Sequence, residues 1–181
     1  VSNAHLGVLV LLAAESMLFF GMIGAYLVFR YGSAVWPPPG LPRLPLLVTW
    51  VNTAVLVASA YTMYRSRSAA RRGDQAALVG HLTLTGALGV AFLVIQGSEW
   101  VGLVRHGLTL SSGPYGATFY TLIGLHGVHV VGAVGWLLGV TWMARRGRFT
   151  PGQYVGVDLC ALYWNFVVAF WVLLFVLVYL R

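Results

Sequence analysis

The stretch Phe119-Tyr120-Thr121-Leu122-Ile123-Gly124-Leu125-His126-Gly127-Val128-His129-Val130-Val131-Gly132-Ala133-Val134-Gly135-Trp136-Leu137 decides the fold. It is apolar enough to lie in lipid, yet it carries two imidazoles one helical turn apart near its middle. A polar group in hydrocarbon without a hydrogen bond costs several kcal/mol, so His126 and His129 must find partners on other helices. The glycines on either side let a neighbouring helix come close enough to supply them.

Composition agrees with that reading. Hydrophobic residues make up 59% of the chain and charged residues 8%, with a mean hydropathy of +0.83. An ordinary soluble domain carries about a quarter charged residues, so this is an integral membrane protein. The net charge of +7 would suggest nucleic acid in a soluble protein. Here every basic residue is Arg and most sit between apolar runs, where they act as topology signals beside anionic headgroups and not as a nucleic-acid surface. Cys160 is the single cysteine, which excludes an internal disulfide and a multi-cysteine metal cluster and leaves it a small packing residue. The chain opens at Val1, and its first apolar run is expected to span the membrane, being too long for a cleaved leader.

Five spans are expected: Leu6–Phe29, Leu46–Tyr64, Ala76–Val104, Tyr115–Met143 and Tyr154–Leu180. Trp36-Pro37-Pro38-Pro39-Gly40 with Pro42 is a stiff connection that cannot be helical, and Pro45 suits the first turn of the second span. Arg65, Arg67, Arg71, Arg72 and Gly73 read as a basic loop, with Asp74 as N-cap of the third helix. Ser111-Ser112-Gly113-Pro114 turns the chain into the fourth. Thr150-Pro151-Gly152-Gln153 has the form of a capping box for the fifth. Residues 1–181 form one domain, an all-α bundle of five transmembrane helices. The basic segments after helices two and four hold seven arginines; Arg30, Arg43, Arg105 and Arg181 lie on the other side. The positive-inside rule therefore places the N-terminus inside and the C-terminus outside.

Ionisable residues at membrane depth are functional candidates. Glu15 lies near the middle of the first helix and must be neutral or paired. It reads equally as a proton-relay or lipid-pocket acid, or as a neutral carboxyl bonded across a helix interface. Gln96 and Glu99 share a face of the third helix, and a Glu99–His126 pair across the hairpin is expected. His5, His81 and Asp158 lie nearer the inner boundary. No Glu-x-x-His pattern and no second mid-depth histidine helix appear, so neither a metal nor a haem is expected in this chain. No nucleophile sits in a recognisable turn, and no catalytic residue is assigned. Asn52 and Thr53 should bond a neighbouring helix. Trp50, Trp100, Trp136 and Trp142 fall near span ends as interfacial anchors. Trp164 and Trp171 share a face of helix five that should pack against another protein.

Together these blocks resemble subunit III of the haem-copper terminal oxidases of the cytochrome c oxidase type. The resemblance runs through His5-Leu6-Gly7 with Ala14-Glu15-Ser16-Met17-Leu18-Phe19-Phe20, Leu44-Pro45-Leu46-Leu47 with Asn52-Thr53, and Gln96-Gly97-Ser98-Glu99-Trp100. It continues through Phe119–Val130 and ends in Asp158 with Tyr163-Trp164-Asn165-Phe166-Val167-Val168-Ala169-Phe170-Trp171. The family usually has His where this chain has Asn165 and Asp where it has Val168. Its longer members have seven helices, and this chain is similar to the five-helix form.

The resemblance implies a cofactor-free, non-catalytic membrane subunit of a respiratory oxygen reductase in the bacterial cytoplasmic membrane. Its implied partners are the catalytic subunit I and subunit II, which carry the haem and copper, together with bound phospholipid and a larger respiratory supercomplex. Its implied tasks are to stabilise the catalytic subunit, hold lipid and support proton uptake. Glu15, Gln96, Glu99, His126 and His129 carry over as a buried polar network. A related small subunit of a quinol oxidase or nitric oxide reductase is the alternative within that class, and an autonomous proton or ion conductor the alternative outside it.

Overall fold

The computed structural model describes residues 3–42 and 44–180; Val1, Arg43 and Arg181 of the readings above lie outside the described residues. The described residues form α1 (Asn3–Gly32), α2 (Leu46–Arg72), α3 (Gln75–Arg105), α4 (Gly113–Arg145) and α5 (Val155–Leu174), and α5 runs on through a π-helical turn, Phe175–Tyr179. Among the described residues, five helices are long and apolar enough to cross a membrane. At about 1.5 Å per residue each exceeds a hydrocarbon core of about 30 Å, so their ends reach the headgroup layers.

Two helix boundaries differ from those expected. The arginine stretch after Tyr64 is not a loop: α2 continues to Arg72, because Ser66, Ala69 and Ala70 are buried and extend its packed face past the apolar run. The turn is only Gly73 and Asp74. Gly73 adopts φ +72, a left-handed cap suited to glycine, and the Asp74 side chain accepts a hydrogen bond from Ala77 N at 3.0 Å, as its N-cap reading required. Thr150-Pro151-Gly152-Gln153 is not a capping box. Gln153 N donates to Thr150 O at 2.9 Å and closes a tight turn, and the helix begins two residues later at Val155 without a side-chain cap. Pro114 does lie at the start of α4.

The helices α2, α3, α4 and α5 close into a ring, each packed on its sequence neighbour and α2 also on α5. α1 lies outside this ring against α4 and α5. Only Phe19, Ile23 and Tyr26 of α1 are buried, and its other sides present residues such as Leu9, Val10 and Met17 outward, as suits a lipid-facing helix. Its far end is held by Tyr26, whose hydroxyl donates to Leu177 O at 3.2 Å in the π turn and accepts from Arg30 at 2.7 Å.

Trp164 and Trp171 overturn the expectation of a protein-facing surface. Both are buried inside this chain, 1% and 0% exposed. Their indole N–H groups donate to α2, Trp164 to Ser59 Oγ at 3.0 Å and Trp171 to Thr53 Oγ1 at 2.9 Å. The same ring that fills the centre also satisfies its polar atom, which is why an indole is tolerated there. Trp164 fits because α3 has Gly89 opposite it, where a Cβ would stand 2.5 Å from the indole and 3.1 Å from Val134. Trp50 and Trp142 are exposed.

Candidate functional site

Several of the buried and half-buried polar side chains form two clusters that join helices. In the first, three helices converge: Glu15 of α1, His129 of α4 and Tyr163 of α5. Glu15 Oε1 lies 3.6 Å from His129 Nε2 and accepts from the Tyr163 hydroxyl at 3.3 Å. His129 Nδ1 lies 2.7 Å from Leu125 O. A carbonyl only accepts, so Nδ1 carries the hydrogen. Phe19 packs on the imidazole at 5.0 Å, and Glu15 Oε2 is buried without a hydrogen-bond partner.

The second cluster joins α2, α3 and the π turn. Glu99 Oε1 accepts from Thr49 Oγ1 at 3.0 Å and Glu99 Oε2 from Gln96 Nε2 at 2.8 Å. Gln96 Nε2 also donates to Tyr179 Oη at 3.3 Å, and Gln96 Oε1 accepts weakly from Asn52 Nδ2 at 3.4 Å. Asn52 Nδ2 donates in addition to Phe92 O at 3.2 Å. Asn52 and Thr53 thus bond neighbouring helices, as their positions implied.

The expected Glu99–His126 pair is absent. Glu99 turns toward α2, where Thr49 and, on its own helix, Gln96 fill its acceptor sites. His126 turns instead among the rings of Trp171, Phe92 and Phe19, at 5.2, 6.2 and 6.5 Å, and neither of its nitrogens has a hydrogen-bond partner. Sequence placed the two residues at similar depth, but depth does not fix the rotation of a helix about its axis. His126 and His129, one turn apart, consequently serve different surroundings.

Between and beyond the clusters, smaller polar contacts stitch helix pairs together: Thr62 with Thr85 at 2.7 Å, and Arg67 Nε with Asp158 Oδ1 at 2.7 Å. Asp158 is therefore an ion-pair partner between α5 and α2. His5 and His81 are half-buried near the same end of the bundle. Gln75 donates to Ala144 O there. Sequence reasoning missed Tyr163, Thr49 and Tyr179 as members of the clusters. Their one signal was a hydroxyl inside an otherwise apolar span.

Chemically, these groups hold helices to one another. Among the described residues, no group of three or more His, Cys, Asp or Glu is placed to hold a metal ion. Cys160 is buried in apolar packing.

The sequence model of the family described as cytochrome c oxidase subunit III matches residues 2–181. The chain is 39% identical over 175 residues to the cytochrome c oxidase subunit 3 of a Synechocystis species, covering 96% of this chain and 74% of that protein. It is 34% identical over 188 residues to the cytochrome c oxidase subunit 3 of Thermostichus vulcanus, covering 99% and 92%. A probable cytochrome c oxidase subunit 3 of Mycobacterium tuberculosis is 35% identical over 176 residues, covering 96% and 85%. A matched family of this kind contributes a subunit to an oxidoreductase complex and not its catalytic subunit. The chain belongs to the cytochrome c oxidase subunit III family.

Proposed function

We propose that this chain is the cofactor-free subunit that stabilises the catalytic subunit of a haem-copper oxygen reductase in the bacterial cytoplasmic membrane, with its N-terminus inside and its C-terminus outside. Subunit I and subunit II supply the haem and copper, and bound phospholipid fills surfaces between them and this bundle. Electron transfer to oxygen and proton translocation take place in those partners. This chain keeps the catalytic subunit in its working form and supports proton uptake at the inner surface, in a single complex or within a respiratory supercomplex.

The observation that carries the reading is the arrangement of the buried polar groups. Glu15, His129 and Tyr163 form one knot, and Gln96, Glu99, Thr49, Asn52 and Tyr179 another. Each knot joins at least two elements. Between them lies the aromatic packing of Phe19, Phe92 and Trp171 around His126. Knots separated by packed rings hold a bundle together and do not form a conductor on their own, which favours a structural subunit over an autonomous channel. Gln96, Glu99 and His126, buried, and Glu15 and His129, half-buried, are positioning groups, and none is catalytic. His5, His81 and Asp158, with the arginines of the α2 end, face the inner surface.

The test is purification in mild detergent through a tag on this chain, followed by mass spectrometry of the co-purifying proteins and an optical redox spectrum. The expected result is co-purification with haem-copper catalytic subunits and a colourless chain once separated from them. A chain that purifies alone, or carries its own haem spectrum, overturns the reading.

A further inference from the structure

At the end of the bundle opposite Arg67 and Asp158, a notch of about 150 Å³ lies between α1, the proline-rich connection, α2, α4 and the π turn. Arg30, Tyr115 and Tyr179 bring its polar atoms, and Trp36, Leu44 and Val178 are among its apolar walls. Trp36 braces two sides, its ring edge-on to Tyr26 at 5.9 Å and to Tyr115 at 5.1 Å.

Each polar side chain on the notch has a donor to spare. Arg30, half-buried, gives Nη1 to the Tyr26 hydroxyl at 2.7 Å, and among the described residues its guanidinium meets no carboxylate. Tyr179, 6% exposed, accepts from Gln96 at 3.3 Å but among the described residues donates to nothing; Tyr115, 5% exposed, makes no hydrogen bond there at all. A guanidinium can only donate and both phenol protons are unspent, so what is missing is an acceptor, and beside a cation an anion.

The chain has no side-chain carboxylate left to supply it. It contains four acidic residues, and all are engaged. Glu15 lies beside His129 and Tyr163, Asp74 caps Ala77, Glu99 accepts from Thr49 and Gln96, and Asp158 holds Arg67. Direction argues against a lipid phosphate. An arginine at a membrane edge that serves headgroups snorkels away from the membrane centre. Arg30 does the opposite: it is held one turn back along α1, toward the centre, by a tyrosine that is 1% exposed. Size agrees with that. At about 30 Å³ per water the notch has room for about five waters, enough for a carboxylate and its methylene stem but not for a glycerophosphate with its chains.

We propose that this notch receives an aspartate or glutamate side chain of a neighbouring subunit, whose carboxylate accepts from Arg30, Tyr115 and Tyr179. One such group ties α1, which lies outside the helix ring, to α4, to the π turn and to the partner at once. The inference rests on the reading of the chain as an oxidase subunit, which supplies the neighbour.

The experiment uses the complex purified with its native partners. This chain has no lysine, so Arg30→Lys gives it one side-chain amine, which a water-soluble carbodiimide joins to a carboxylate in contact with it. Mass spectrometry of the cross-linked peptides should find position 30 joined to an Asp or Glu of another subunit. Release of this chain from the complex should be about tenfold faster in Arg30→Gln, and also in Tyr115→Phe, which keeps the ring and removes the hydroxyl. Arg105→Gln, exposed at the same end of the bundle, is the control and should release at the wild-type rate. A cross-link only to this chain's own residues, no cross-link at all, or wild-type release in both Arg30→Gln and Tyr115→Phe would each overturn the proposal. Loss of one phospholipid per complex in Arg30→Gln, with no cross-link, would overturn it in favour of a headgroup. Catalytic subunits that co-purify with the wild type while no cross-link forms sink this inference alone; their absence from the wild type sinks the oxidase reading and this one with it.

Discussion

Glu15 of α1 and His129 of α4 face each other with Oε1 and Nε2 3.6 Å apart, and the far side of the imidazole is committed to Leu125 O at 2.7 Å. With Nδ1 donating to that carbonyl, Nε2 is the nitrogen left to face the carboxylate, which also accepts from the Tyr163 hydroxyl at 3.3 Å. α1 makes most of its contacts further along, through Phe19, Ile23 and Tyr26, so this pair and the Tyr163 hydroxyl fix the register of the half of α1 that is otherwise open to lipid.

Replacement of Glu15 separates these contributions. Glu15→Gln keeps an acceptor for Tyr163 and offers an N–H to His129, and its cost should stay within about 1 kcal/mol. Glu15→Leu leaves both partners unpaired and should cost about 1–3 kcal/mol. Thermal dissociation of the subunit from its purified complex measures both. Equal damage from the two variants would show that the negative charge itself is required.

The packing of Trp164 against Gly89 makes α3 intolerant of a single methyl group. Gly89→Ala places a Cβ 2.5 Å from the indole, and the overpacking should cost about 1–3 kcal/mol. Gly80→Ala, on the same helix with nothing within 4 Å, should be neutral or stabilising by up to about 1 kcal/mol. Melting temperatures of the two variants should therefore move apart; a Gly89→Ala protein as stable as Gly80→Ala would contradict the close approach.

Arg67 and Asp158 join α2 to α5 by a 2.7 Å contact between side chains that are 33% and 19% exposed. A pair that wet contributes about 0–1 kcal/mol and is weakened by salt. Arg67→Gln and Asp158→Asn should each cost that little, and the double variant no more than the larger single one. A loss well above that in the double-mutant cycle would mean that the pair is covered by a partner in the complex.

The proposed orientation has its own readout. Cysteines at Leu110, in the α3–α4 connection, and at Arg148, in the α4–α5 connection, are both at exposed positions on opposite ends of the bundle. The native Cys160 is buried and should stay silent. In intact cells a membrane-impermeant maleimide should label Leu110→Cys, and should reach Arg148→Cys only after permeabilisation. The reverse pattern would invert the topology.

Much of this protein was readable from residue order. Long apolar runs, arginines, prolines and glycines are local signals, and they reported five spans, the Asp74 cap and the Pro114 helix start, because a bilayer forces backbone hydrogen bonds to close within each segment. They were less reliable at the ends, where α2 ran on through its arginines to Arg72 because small residues there found a packed neighbour. The family signature was also sequence-borne, since it lies in residue types at fixed order. What the sequence did not contain was the rotation of each helix about its axis and the order of helices around the ring. Those decide that Glu15 meets His129, that Glu99 meets Thr49 and not His126, and that Trp164 and Trp171 point inward to Ser59 and Thr53. A helix with apolar residues on every side carries little amphipathic signal to aim it. Only the close fit of one helix surface on another, with Gly89 beneath Trp164 as the tightest instance, settles which faces meet.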